Sequence, residues 1–150
     1  MKADTKYFGE IEYSEDDPIF FPRGLYGFEE ETRFLLLPFA GNGSLFSLQS
    51  LQTPQLAFVL MDPFALDPGY TPVLREEELS ELEKAESEDL YYYVMCVVRD
   101  PAGNSTVNLK CPIAINSETR KAMQVILEDN AYQMRHRLDS FEAGGGKPTC

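Results

Sequence analysis

Few residues of this 150-residue chain are equipped for chemistry. The one imidazole, His136, sits in Arg135-His136-Arg137 after Tyr132, and the three cysteines are Cys96, Cys111 and Cys150. A zinc site could draw on these four side chains, but no pair has the Cys-x-x-Cys spacing of a structural site. Cys96 alternates with Val94 and Val98, as a small buried thiol in a strand does. Cys111 precedes Pro112 and has only Lys110 beside it to lower its pKa. Asp16-Asp17 and Asp62 could supply the acid and base of a hydrolase. The pair also reads as a solvated turn, and Asp62, before a proline, as a cap. His136 has no G-x-S-x-G elbow to serve. Gly24-x-x-Gly27 does not join a strand to a helix, so it is no dinucleotide fingerprint. Gly144-Gly145-Gly146-Lys147 lacks the Ser/Thr and the helix of a phosphate loop. No catalytic residue, cofactor or metal ligand is assigned, and no enzyme is expected.

Charge points elsewhere. Twenty-five acidic side chains oppose thirteen basic ones, a formal net charge of -12. Such a surface repels phosphate backbones and anionic membranes, which argues against direct nucleic-acid or membrane binding. It attracts a basic partner, expected to be a protein. The thiols are odd in number, and the first residues turn acidic without the apolar core of a signal peptide. A cytoplasmic protein with reduced cysteines is therefore expected. No apolar run approaches the roughly 20 residues of a membrane-spanning helix.

The elements that must position these residues are mostly short strands. Residues 7–13 alternate, with Tyr7, Gly9, Ile11 and Tyr13 on one side and Phe8, Glu10 and Glu12 on the other. Asp16-Asp17-Pro18 turns the chain into the extended Ile19-Phe20-Phe21. Pro22-Arg23-Gly24 and Gly27 then bend it around Leu25, Tyr26 and Phe28. Residues 34–37 form a buried strand stopped by Pro38, and Gly41-Asn42-Gly43 signals a hairpin into residues 45–48. Another strand covers residues 56–61, closed by Asp62-Pro63. A short helix with Leu79 and Leu82 on its apolar stripe is expected over residues 76–85. Residues 90–99 read as the longest strand, with a hairpin at residues 100–104 leading back into residues 106–109. Pro112 before residues 113–115 suits an edge or a bulge. Residues 117–127 are ambiguous between helix and strand, since Glu118, Arg120, Lys121, Ala122 and Met123 favour a helix. The glycine-rich end reads as a flexible tail over residues 142–150. Residues 1–141 form one domain, a small barrel or sandwich.

Two features stand out as binding surfaces. Residues 76–89 hold eight carboxylates and one lysine, Lys84. They form either a solvated helix face or a docking surface for a basic protein, carried by Glu76, Glu77, Glu78, Glu81 and Glu83. Most of the aromatic start, Phe20, Phe21, Tyr26, Phe28 and Phe34, is core material, but Tyr26 in its glycine-bounded bend could stand out as an anchor.

A resemblance adds to these readings. Phe21-Pro22-x-Gly24-Leu25-x-Gly27-Phe28, Leu48-Gln49-Ser50 and Phe58-x-x-x-Asp62-Pro63 resemble the family of the flagellar assembly factor FliW. Asn108-Leu109-x-x-Pro112-Ile113-x-Ile115-Asn116 and Gln124-Val125-x-Leu127, followed by Tyr132, complete the pattern, which covers residues 7–138. The resemblance implies a mainly β fold: a small closed or nearly closed antiparallel β-barrel-like domain with one or two short helices. It also implies a strand at residues 124–127. It further implies a chaperone-like partner switch in flagellum biogenesis. The factor binds newly made flagellin in the cytoplasm, or it sequesters the translational regulator CsrA and so relieves repression of flagellin synthesis. Gln49, Asn108 and Asn116 match the family pattern as candidate contacts, although polar side chains at strand ends also satisfy backbone groups. Two alternatives stay open: a small hydrolase using Asp62 or Cys111, and a structural interaction domain with one constitutive partner.

Overall fold

Alternation along the strands sends apolar side chains to both faces of one curved sheet, so two cores form rather than one. The computed structural model describes residues 1–41 and 43–144. Its strands are β1 (Lys2–Thr5), β2 (Gly9–Glu12), β3 (Ile19–Phe20), β4 (Arg33–Pro38), β5 (Leu45–Ser50), β6 (Ala57–Met61), β7 (Tyr91–Val97), β8 (Thr106–Val107), β9 (Ile113–Ile115), β10 (Ala122–Gln124) and β11 (His136–Arg137). Two short helices, α1 (Pro63–Leu66) and α2 (Glu76–Glu81), and three 3-10 segments complete the fold. The main sheet runs β10-β9-β7-β6-β5-β4-β3, with β8 on β7 and β11 on β8. Every strand pair is antiparallel. The two ends of this path approach each other: Phe20 bridges to Lys121, and its amide donates to the Arg120 carbonyl at 2.8 Å. The result is the nearly closed antiparallel barrel expected.

Inside the barrel lie Ile19, Phe21, Leu25, Phe34, Leu48, Leu60, Ile113, Ile115 and Ala122. Their neighbours along the same strands, Met61, Tyr92, Val94, Ala114 and Met123, point outward into a second core. Leu74, Leu82 and Leu90, from the segment joining β6 to β7, cover that outer face together with Leu138. Tyr70 fastens this cover, its hydroxyl donating to the Leu109 carbonyl at 2.7 Å. Each fully buried large side chain contributes about 1.5–3 kcal/mol, which is why a layer with so little regular structure stays in place.

That magnitude also decides the ambiguous segment. Helix propensity differs by at most about 0.7 kcal/mol per residue among ordinary residues. Met123, Val125 and Leu127 are all buried in the outer core, and only an extended chain puts all three on one face. Residues 122–124 are accordingly β10, and the extended run continues with Val125 N donating to Pro112 O at 3.0 Å and Leu127 N to Lys110 O at 2.8 Å.

Several expectations need correcting. Residues 7–13 are not one strand. Lys2–Thr5 and Gly9–Glu12 form a two-stranded hairpin, with Tyr7 and Phe8 in its turn. Thr5 Oγ1 closes that turn, accepting from Phe8 N at 2.9 Å and donating to Gly9 O at 2.8 Å. The helix expected over residues 76–85 ends at Glu81, because Glu83 adopts a left-handed φ of 59°. Pro112 flanks an interior strand rather than an edge, since β9 lies between β7 and β10. The 112/125 pair simply makes one backbone bond instead of two. The hairpin at residues 39–44 joins β4 to β5 as its glycines signalled, with Asn42 itself outside the described residues. Of the tail read over residues 142–150, the last 3-10 segment includes residues up to Gly144, and residues 145–150 lie outside the described residues.

Candidate functional site

The bend at residues 22–29 is built by two glycines. At Gly24 φ is +64°, and a Cβ there would sit 2.5 Å from the Glu29 carbonyl oxygen, so no larger residue fits. Gly27, at φ +85°, turns the chain so that Leu25 and Phe28 exchange backbone bonds of 3.2 and 2.7 Å. Leu25 is thereby driven into the barrel, and Tyr26 is held out at the tip, 56% exposed. The Gln124 side chain fixes the bend, its Oε1 accepting from Tyr26 N at 3.0 Å.

Opposite this bend stands α2, and a cavity of about 260 Å³ lies between them. Tyr26, Arg23 and Glu29 line one side, Arg75, Glu77, Glu78 and Glu81 the other, with Met123 and Gln124 beneath. Tyr26 and three of the expected glutamates, some fifty residues apart in sequence, therefore share one site. Arg23 Nε spans the cavity to Glu81 at 3.0 Å. Arg75 pairs with Glu77 at 3.4 Å and with Glu78 at 3.3 Å. Glu78 is buried and turned back to cap its own helix, accepting from Arg75 N at 2.9 Å. The bond to Glu78 pushes the Arg75 guanidinium above its ordinary value, and partial burial pushes up the Tyr26 phenol. Glu83 lies off the cavity and pairs with Lys121 at 3.0 Å, while Lys84 pairs with Glu118. Glu76 alone of the five has no ion pair among the described residues.

The polar residues of the family pattern lie elsewhere, and all three serve backbone groups. Gln49 is fully buried: its amide nitrogen donates to Pro54 O at 3.0 Å and Leu56 O at 3.2 Å, and its Oε1 accepts from Lys6 N at 2.9 Å. Buried Asn116 donates to Leu82 O at 2.8 Å and accepts from Glu118 N at 2.9 Å. Asn108 Oδ1 accepts from Lys110 N and Cys111 N at 3.1 and 3.0 Å. The residues weighed for catalysis are similarly occupied. Asp62 caps α1, accepting from Phe64 N at 2.9 Å. Cys111 is buried, and that burial pushes its thiol up, away from the reactive thiolate. His136 Nε2 accepts from Gln133 N at 2.9 Å. Among the described residues no cluster of three His, Cys, Asp or Glu is placed to hold a metal ion.

Sequence reasoning missed a second concavity. A groove of about 650 Å³ runs over the outer layer between α1, the strap at residues 70–74 and the segment before β7. Its walls carry Phe64, 40% exposed, and Val73, 68% exposed, with Glu86 and Glu88 on the rim. The available signal was apolar Phe64 and Val73 set among the prolines at residues 63, 68 and 72, in a stretch too punctuated for a strand.

Comparison with known proteins follows the same outline. A family model described as FliW protein matches residues 2–138. A flagellar assembly factor FliW of Geobacillus kaustophilus (strain HTA426) is 42% identical over 138 residues, covering 92% of this chain and 95% of the relative. The flagellar assembly factor FliW of Shouchella clausii (strain KSM-K16) is 34% identical over 145 residues, covering 97% and 99%. A crystal structure of a flagellar assembly factor FliW superposes with a TM-score of 0.86 at 40% identity, covering 92% of this chain and 96% of that one.

Proposed function

The chain belongs to the FliW family of flagellar assembly factors, and on that premise we propose that it works by exchanging two protein partners. One is newly made flagellin, held in the cytoplasm before export. The other is the translational regulator CsrA, captured when flagellin leaves, which lifts repression of flagellin synthesis. The reading requires no catalysis, metal or cofactor.

The observation that carries it is the pairing of two unlike concavities on one acidic molecule. The cavity beside Tyr26 is rich in carboxylates and suits a basic surface, as an RNA-binding regulator must have. The groove bearing Phe64 and Val73 suits the apolar face of an amphipathic helix, as expected of an unassembled flagellin. Titration calorimetry of the purified chain with each partner, then with both, tests the reading. Binding of each at low micromolar or tighter, with flagellin weakening capture of CsrA, is the expected result. Absence of heat with either partner at tens of micromolar defeats it.

A further inference from the structure

The barrel closes at one point only, and beyond it an edge is left open. Residues 121–127 run antiparallel to residues 110–116, and alternate residues bond to that neighbour. Asn116 N donates to Lys121 O at 2.9 Å, Val125 N to Pro112 O at 3.0 Å and Leu127 N to Lys110 O at 2.8 Å. In an antiparallel ladder the residues between them direct their N–H and C=O groups the other way. Phe20 takes the first of these outward groups, at Arg120. The chain then leaves through Pro22 into the Tyr26 bend, which meets β10 through the Gln124 side chain and makes no backbone bond to Gln124 or Ile126. At Gln124 and Ile126 the outward backbone groups make no hydrogen bond among the described residues, and Ile126 is 46% exposed.

This edge has a chemical neighbour. Met123 and Gln124 form the floor of the cavity beside Tyr26, in whose lining four glutamates face only two arginines. Glu128, exposed, follows two residues after Ile126. A strand laid along Gln124 and Ile126 would pass the mouth of the cavity, where a cationic side chain would meet carboxylates and the Tyr26 ring.

We propose that this edge receives an extended, basic peptide segment of a partner protein by strand addition. The partner's main chain pairs with Gln124 and Ile126, and one lysine or arginine side chain enters the cavity beside Tyr26. Backbone pairing supplies affinity, and the cavity selects the charge. The inference goes beyond the partner exchange above and does not depend on either partner's identity.

The probe is a capped heptapeptide of alternating valine and lysine, with binding followed by amide exchange resolved at each residue. The expected result is slowed exchange at Gln124 and Ile126. Replacing the lysines by glutamate abolishes binding. Ile126→Pro removes an outward N–H that no described residue uses, and weakens binding by about three- to tenfold, the equivalent of one backbone bond. Two N-methylated peptides, blocked on opposite alternate sets of residues, make the test independent of that variant's folding: one set abolishes binding and the other does not. Equal binding by both methylated peptides, equal binding by the acidic peptide, or unchanged exchange at Gln124 and Ile126 overturns the proposal. Protection of this edge without peptide, rising with protein concentration, also overturns it, in favour of pairing with a second copy of the chain.

Discussion

Gln49 illustrates how far residue type falls short of residue role. Its amide bonds to the carbonyls of the turn after β5, and its oxygen to the hairpin over the sheet. Gln49→Ala would leave several buried backbone groups without partners. A loss of about 2–4 kcal/mol is expected in urea unfolding. Asp62→Ala should cost only about 1 kcal/mol, a lost helix cap, and leave partner binding unchanged in calorimetry. The tyrosines predict the response to alkali. Burial pushes Tyr92 up to about 12 and raises Tyr70, Tyr93 and the Cys111 thiol above their ordinary values. The folded chain therefore holds protons that the unfolded chain releases. Their contribution is complete below pH 9.0, the ordinary value of the thiol, and is lost as pH rises through the folded values. The urea midpoint should hold steady up to about pH 9 and fall toward pH 12, and Tyr92→Phe should flatten part of the fall. That the neighbours Tyr92 and Tyr93 are both covered was not legible from alternation, because both faces of β7 are packed, whereas Tyr70 and Cys111 lie outside the strands.

At the scale of elements, strands announced themselves better than their ends did. β4, β5, β6 and β7 are short apolar runs between turn residues, and they fall within a few residues of where those turns place them. The end of α2 did not announce itself, because its stop signal carries the wrong residue. Glu83 N bonds to Ser80 O at 3.1 Å and Lys84 N to Leu79 O at 3.1 Å, a closing motif that ordinarily has glycine at the left-handed position. Glu83→Gly should relieve a left-handed non-glycine residue, at the loss of an exposed pair to Lys121 worth little. A net gain of about 0.5–1 kcal/mol is expected in thermal or urea unfolding. The opposite sign would mean that the Glu83–Lys121 pair outweighs the backbone. Residues 117–127 went undecided for a different reason. Their local preference is helical and weak, and the strand forms because a sheet edge with an apolar face awaits it.

For the whole molecule, net charge governs encounter more than grip. Glu76 and Glu77 are exposed at the start of α2, Glu77 paired only with the neighbouring Arg75, whereas Glu81 is engaged across the cavity by Arg23 and Glu83, beyond the helix, by Lys121. Lysine at Glu76 and Glu77 should slow association with a basic partner about three- to tenfold at low salt and flatten its salt dependence in stopped-flow measurements. Unchanged rates would place the docking face elsewhere. By itself the sequence determined a β-rich domain, its turns, its charge and, through short ordered motifs, its family, because each of these is written locally or adds up residue by residue. Only the tertiary structure decided which glutamates stand free and which are paired, that Tyr26 faces α2 across a cavity, that a second core lies outside the barrel, and that β10 keeps an open edge. These depend on where β3 meets residue 121 and then turns away, a contact between segments a hundred residues apart that no local preference encodes.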